Sequence, residues 1–251
     1  MTFSNYHTHT LFCDGKDTPE ELTLKAIELG CDEIGFSGHS YTFFDESYCM
    51  SQKDTKEYKE CVNALKDKYK GKIKVLLGIE QDFYSEESVE GYDYVIGGVH
   101  YVNRNGVYLP VDESKEALIQ TVCDYYSGDY YSFCEDYFEN VAALYERTKC
   151  DIVAHFDLVT KFNENNVLFD TQNRRYKAAA YSALESLMKA PVRFEINTGA
   201  VSRGYRQAPY PSADILDILK KNGNELILGS DCHDKEYLLF GFEKYSHLVL
   251  K

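Results

Sequence analysis

The sequence predicts an α/β fold, a distorted and incomplete (β/α)7 TIM-like barrel formed as a single domain over residues 1–251. Three observations carry that prediction. Seven short apolar runs alternate with stretches of helical periodicity, which is the pattern of a parallel sheet wrapped by helices. Histidines and carboxylates collect where those runs end, as in barrels whose sites lie at the C-terminal face. Finally, no repeat, low-complexity tract or Pro/Gly-rich linker divides the chain, and 251 residues suit one barrel.

Taken in order, residues 3–10 read as the first strand and end in His7-Thr8-His9. Thr18-Pro19-Glu20-Glu21 is a capping box with proline at the first helical position, and it opens a helix to about Gly30. The second strand, 33–37, runs into Gly38-His39-Ser40. Residues 41–49 are aromatic and acidic without periodicity, so they read as a long loop of the kind that forms a lid. A helix over 52–70 precedes the third strand, 73–79, which ends in Glu80-Gln81-Asp82-Phe83; the fourth, 92–99, delivers His100. Two helices are expected at 113–127 and 131–149, the second with Phe133, Tyr137, Val141 and Leu144 on one core-facing stripe. The fifth strand, 151–154, delivers His155, and a helix over 171–190 leads to the sixth, 192–196, ending at Asn197-Thr198-Gly199. Ser212 is the expected N-cap of the last full helix, with Asp214 in its first turn. The seventh strand, 225–229, opens into Ser230-Asp231-Cys232-His233.

Composition narrows the function classes. A formal charge of −14 repels a nucleic-acid backbone or an anionic membrane, so neither is an expected partner. An anionic substrate would then need concentrated positive charge inside the site. Eight cysteines with no C-x-x-C pair, and no basic-then-apolar leader before the first strand, point to free thiols in a reducing cytoplasm.

Metal ions would supply that charge. His7 and His9, at i and i+2 of a strand, put two imidazoles on one face, although a lone H-x-H is as often a solvated strand face. Six of the seven histidines follow or close strands, which gives the candidate ligands His7, His9, Asp14, His39, Glu80, His100, His155, Asp231 and His233. Singly, His39 or His155 is more often a satisfied core or loop histidine, and Glu80 or Asp231 a helix cap. Jointly they exceed the ~3 protein ligands of a mononuclear catalytic site and suit a cluster of two or three ions. Asp14 could instead turn the loop with Gly15, and Asp17 could take its place. Cys13 and Cys232 are weaker candidates, each flanked by a group better suited to a site of oxygen and nitrogen ligands.

The ordered set H-T-H-T, G-H-S, L-G-I-E-Q-D-F, D-Y-V-I-G-G-V-H-Y-V, D-I-V-A-H-F-D-L-V-T-K-F, E-I-N-T-G, P-Y-P-S and G-S-D-C-H resembles the polymerase-and-histidinol-phosphatase superfamily, specifically its histidinol-phosphate phosphatase branch, over about residues 5–233. The resemblance implies a distorted (β/α)7 barrel with three divalent ions drawn from zinc, iron and manganese. It implies that His7, His9, Glu80 and Asp231 hold the first, Glu80, His100 and His155 the second, and Asp14, His39 and His233 the third. Asp14 stands where many relatives have a histidine one place later. The implied reaction is hydrolysis of a small-molecule phosphate monoester, L-histidinol phosphate, to L-histidinol and phosphate in histidine biosynthesis.

Phosphate-monoester hydrolysis is very slow in solution, so the site must neutralise charge and aim a nucleophile. A water shared by two divalent ions is acidified enough to attack phosphorus in line, with Asp231 expected to take its proton. Arg203 is expected to meet the phosphate oxygens, with Arg206 the alternative in the loosely matching segment 202–207. For the ammonium and imidazole at the other end, the sequence offers Asp45, Glu46 and Asp82 as charge partners and Tyr41, Phe43 or Phe44 as stacking surfaces. The rival readings are a related phosphatase for phosphotyrosine proteins or nucleotide phosphates, an amidohydrolase-like hydrolase, and an inactive metal-stabilised barrel used for binding.

Overall fold

The computed structural model describes residues 2–249. Seven parallel strands form the barrel wall in the order β1 (Ser4–Asn5), β2 (Glu33–Phe36), β3 (Lys74–Asp82), β4 (Tyr94–Gly98), β7 (Ile152–Val153), β8 (Arg193–Asn197) and β9 (Leu226–Gly229). The antiparallel pair β5 (Tyr101–Arg104) and β6 (Val107–Pro110) stands apart as a hairpin. Between β1 and β9 the described residues form no ladder; the wall closes through an isolated parallel bridge, Thr8 with Cys232, where the His9 N–H donates to the Cys232 carbonyl at 2.9 Å, and through Asn5, whose Nδ2 donates to Ser230 Oγ at 2.7 Å. The barrel is therefore nearly closed and seven-stranded.

Two helices flank the first crossovers, α1 (Pro19–Glu28) and α2 (Gln52–Lys68), and the α1 capping box is present in full, Thr18 and Glu21 each capping the other. Next come α3 (Lys115–Tyr126), α4 (Tyr130–Ala142), α5 (Leu144–Thr148), α6 (Arg174–Leu187), α7 (Gly199–Ser202), α8 (Ala213–Asn222) and α9 (Phe242–Tyr245). No helix among the described residues is long and apolar enough to cross a membrane.

Three features differ from the sequence expectation. The first strand is two residues long rather than eight, because residues 6–10 leave the ladder and pair singly, Thr8 with Ser37 just after β2 and His9 with Cys232 just after β9. The helix expected over 131–149 breaks at Ala143, whose N–H is shared among three carbonyls of the preceding turn. The hairpin was not expected at all, although Asn105 (φ 55°) and Gly106 (φ 84°) form the Asn-Gly turn that favours one. In addition, Ser212 holds the N-cap position of α8, but its side chain makes no capping bond.

One contiguous core fills the space between wall and helices, and Phe133, Tyr137, Val141 and Leu144 are all buried in it. Inside the barrel a smaller cluster of Tyr94, Ile96, Ile152 and Ala154 forms the floor beneath the strand ends. Tyr94 lies so close over β3 that a Cβ at Gly78 would stand 2.2 Å from its ring, which is why the strand carries glycine there.

Candidate metal centre and cleft

Each ligand candidate is delivered by the C-terminal end of a strand or the loop just after it. Glu80 lies on β3, His39 follows β2, His100 follows β4, His155 follows β7, and Asp231 and His233 follow β9. Because the wall is parallel, all of these ends open on one face, where His7 and His9 arrive from the seam and Asp14 from the loop behind them.

Glu80 is the hub. Its Oε2 lies 3.0 Å from His39 Nδ1, 3.3 Å from His7 Nε2 and 3.5 Å from His9 Nε2, and its Oε1 lies 3.0 Å from His155 Nε2 and 3.4 Å from His100 Nε2. Asp231 Oδ1 stands 3.3 Å from His9 Nε2 and 3.8 Å from His7 Nε2. Asp14 Oδ2 meets His233 Nε2 at 3.1 Å, and its Oδ1 faces His39 Nε2 at 3.6 Å. All nine candidates are thus brought together, in four overlapping groups able to hold a cation: His7, His9 and Asp231; His7, Glu80 and His155; His39, Glu80 and His100; and His9, Asp14, His39 and His233. The allotment implied by the resemblance differs in detail. His155 groups with His7, and His39 takes part in two sets.

The donor set fits metal ions. His7 Nε2, His9 Nε2 and Glu80 Oε2 are buried without any hydrogen-bond partner, a costly arrangement that a cation would relieve. Two outer carboxylates leave the facing nitrogens free. Glu195 Oε1 meets His7 Nδ1 at 2.7 Å, and Asp82 Oδ2 meets His100 Nδ1 at 3.1 Å, so each ring carries its proton there and turns Nε2 inward. Asp231 holds a left-handed backbone at φ 50°, a conformation of sparse population that recurs at functional sites.

Electrostatics agrees with this reading. Burial opposes ionisation of Glu80, yet the surrounding His7, His39 and His100 hold it well below the usual carboxylate range. Asp231 is likewise held far down against its burial by Arg203 and His7. Burial favours neutral imidazole at His7 and His100, but the facing carboxylates, Glu195 first for His7 and Glu80 first for His100, outweigh it and raise both well above the ordinary value. His9 goes the other way, pushed down to about 3 by burial and then by His233 and His39.

The cluster forms the base of a cleft of about 590 Å³. Arg203 lines it, donating from one nitrogen to Asp231 Oδ2 at 3.1 Å and from the other to the Asp231 carbonyl at 3.1 Å. Arg206 does not line it: it donates to Thr160 Oγ1 at 2.6 Å and lies over the Tyr210 ring. Tyr41 and Glu46 bond each other at 2.7 Å outside the cleft, and Asp82 stands behind His100. The loop instead presents Asp45 and Tyr48, opposite Tyr101, Asp112 and Lys161. Lys161 pairs with Asp112 at 2.8 Å, and Phe44 stacks on Tyr108 rather than facing the cavity.

Glu195, Asp112 and Lys161 have no site role in the sequence reading, which offers Asp45 as a charge partner. Only Glu195 carried a readable signal, as a lone carboxylate inside the apolar run of β8. Asp17 is not a ligand, since both its carboxylate oxygens are taken by Lys235. All eight cysteines are unpaired; burial pushes the Cys13 and Cys232 thiols up to about 12, and neither joins a cation group.

A family model described as "PHP domain" matches residues 5–199. The "Probable histidinol-phosphatase" of Schizosaccharomyces pombe is 28% identical over 251 residues, covering 90% of this chain and 79% of its own length. Among solved structures, the "putative histidinol phosphatase" of Listeria monocytogenes superposes with a TM-score of 0.83 at 22% identity over 96% of this chain and 99% of that one. The Lactococcus lactis histidinol phosphate phosphatase, solved with zinc, L-histidinol and phosphate, superposes with a TM-score of 0.67 at 20% identity over 99% and 92%. At these identities the two structures establish the shared fold.

Proposed function

Since the chain belongs to the PHP-domain family, we propose that it is a metal-dependent phosphomonoesterase that hydrolyses L-histidinol phosphate to L-histidinol and phosphate. The observation that carries this reading is the buried Glu80 carboxylate ringed by five imidazoles, with the inward nitrogens of His7 and His9 left unpartnered, at the base of an arginine-bearing cleft. The names of the curated relatives supply the substrate. We place three divalent ions in the overlapping groups, held by His7, His9, Asp14, His39, Glu80, His100, His155, Asp231 and His233. Zinc, iron and manganese all suit imidazole and carboxylate donors.

Bound there, such ions supply an acidified water as nucleophile and neutralise phosphate oxygens. The chain's own groups do the rest. Arg203 presents its guanidinium fork to the non-bridging phosphate oxygens from beside Asp231. Asp231, held anionic, accepts the proton of the attacking water. Glu195 and Asp82 fix the rings of His7 and His100. At the outer wall Asp45 and Asp112 offer negative charge to a cationic leaving group, and Tyr48 and Tyr101 offer aromatic faces. The free thiols fit a reducing cytoplasm, and the surplus negative charge disfavours nucleic acid and membrane as partners.

Steady-state kinetics on metal-loaded protein tests the proposal. L-histidinol phosphate should exceed phosphotyrosine peptides and nucleoside monophosphates in kcat/KM by at least tenfold, with turnover abolished by chelation and restored by added metal. A preference for another monoester would replace the substrate assignment. Absence of any metal-restored phosphate release would remove the phosphatase reading altogether.

A further inference from the structure

The cation positions differ in depth. His7, His9 and Glu80 are essentially inaccessible, whereas the side chains of Asp14 and His233 are 34% and 23% exposed. An ion in the outer group therefore depends on two ligands that come from opposite ends of the chain and stand at the solvent edge. Their separation is set by how loop 10–17 is joined to loop 230–235.

Four bonds make that joint. The Lys16 N–H donates to the His233 carbonyl at 2.8 Å, the Lys235 N–H donates to Asp17 Oδ2 at 2.7 Å, Lys235 Nζ donates to Asp17 Oδ1 at 2.7 Å, and at the exposed edge Lys16 Nζ donates to Asp234 Oδ2 at 3.3 Å. Within its own loop, Asp17 accepts from the Leu11 N–H through its carbonyl at 3.0 Å, and Gly15 lies against the His9 backbone, where a Cβ would come within 2.5 Å. Loop 10–17 is thus pinned to His9 on one side and, through the buried Asp17 carboxylate, to the residues following His233 on the other.

We propose that Asp17 is a positioning residue for the outer metal ion: by clamping Lys235 it fixes Asp14 against His233 and so governs how firmly that one ion is retained. This rests on the three-ion reading above. The carboxylate touches neither ion nor substrate. Its effect passes through the placement of two exposed ligands, and the two deep positions, built on buried strand ends, do not depend on it. Carboxylates that bond a ligand directly are worth about 10- to 100-fold in metal affinity, and Asp17, one step further out through Lys235, belongs at the lower end of that range.

The test compares wild type, Asp17→Asn, Lys235→Met and the conservative Lys235→Arg, all zinc-loaded. Metal per chain is measured by mass spectrometry after desalting, and zinc release to a chromophoric chelator is followed in time. Asp17→Asn should lose one ion of three on desalting and release it at least tenfold faster. Lys235→Met should show the same effect in weaker form, Lys235→Arg should restore wild-type retention, and the other two ions should leave at wild-type rates. The metal-free proteins should melt together. Three ions leaving all variants at wild-type rates would overturn the clamp. So would a lower metal-free melting temperature with all three ions released faster, since Asp17 would then be a general prop. A wild-type protein that retains two ions or fewer would overturn the three-ion reading and the clamp with it.

Discussion

Glu195 shows what a single buried carboxylate does at this site. Oε1 accepts from His7, while Oε2 accepts from the His155 N–H at 3.2 Å and from Asn197 Nδ2 at 2.9 Å, so one side chain orients two segments that carry candidate ligands. Room for it is made by Gly229, where a Cβ would fall 1.7 Å from Oε1. Glutamine in its place would set an amide N–H against one of those donors. Glu195→Gln should therefore weaken zinc binding by roughly 10- to 100-fold, with activity partly recovered at saturating zinc. Competition titration against a chelator reads the effect, and an affinity within twofold of wild type would show the carboxylate to be idle. The strand-end pattern points to the candidate ligands but not to this residue, because Glu195 lies inside β8 and its one signal is a carboxylate within an apolar run. On β3 the period of two likewise places Glu80 and Asp82 on one face, and only the fold makes one a hub and the other a brace.

At the level of elements, the alternation of apolar runs with helical periodicity places all seven wall strands, because β2, β4, β7, β8 and β9 are short stretches buried on both faces. Boundaries shift where the chain is held by single bonds rather than ladders, as at 6–10, and the hairpin is masked because its first strand follows His100 directly and its turn, Asn105-Gly106, is its one sequence mark. That hairpin matters to the cleft. The Tyr108 ring on β6 stacks on Phe44 with centroids 3.7 Å apart, and Tyr101 on β5 donates to Asp45 Oδ2 at 2.6 Å, so loop 41–49 is held against it from both strands. Removing the stack in Tyr108→Ala should loosen the loop that carries Asp45 and Tyr48. An aromatic pair is worth about 0.5–1.5 kcal/mol, so KM should rise by about 2- to 10-fold. Metal content and kcat should stay near wild type; a fall in kcat alone would place the hairpin's role in the chemistry instead.

For the molecule as a whole, metal and protons compete for one set of nitrogens. In the metal-free protein, His7, His39 and His100 have pKa values raised, against the effect of burial, by Glu195, Glu80 and the neighbouring carboxylates. A raised histidine contributes stability that is full below its unfolded value of about 6.5 and is lost as pH climbs through the folded value. The metal-free fold should therefore weaken as pH rises from about 6 to 8. Metal binding requires those nitrogens unprotonated, so affinity grows over the same interval, and ligand stabilisation grows with it. Both slopes act in one direction: the gap in melting temperature between zinc-loaded and chelated protein should be wider at pH 8 than at pH 6. The carboxylates do not reverse this, because Glu80 and Asp231, held low, lose their contribution only in acid well below that interval. Thermal melts of both forms at the two pH values measure the gap, and a gap that narrows toward pH 8 would mean that the histidines are not the groups the metal displaces.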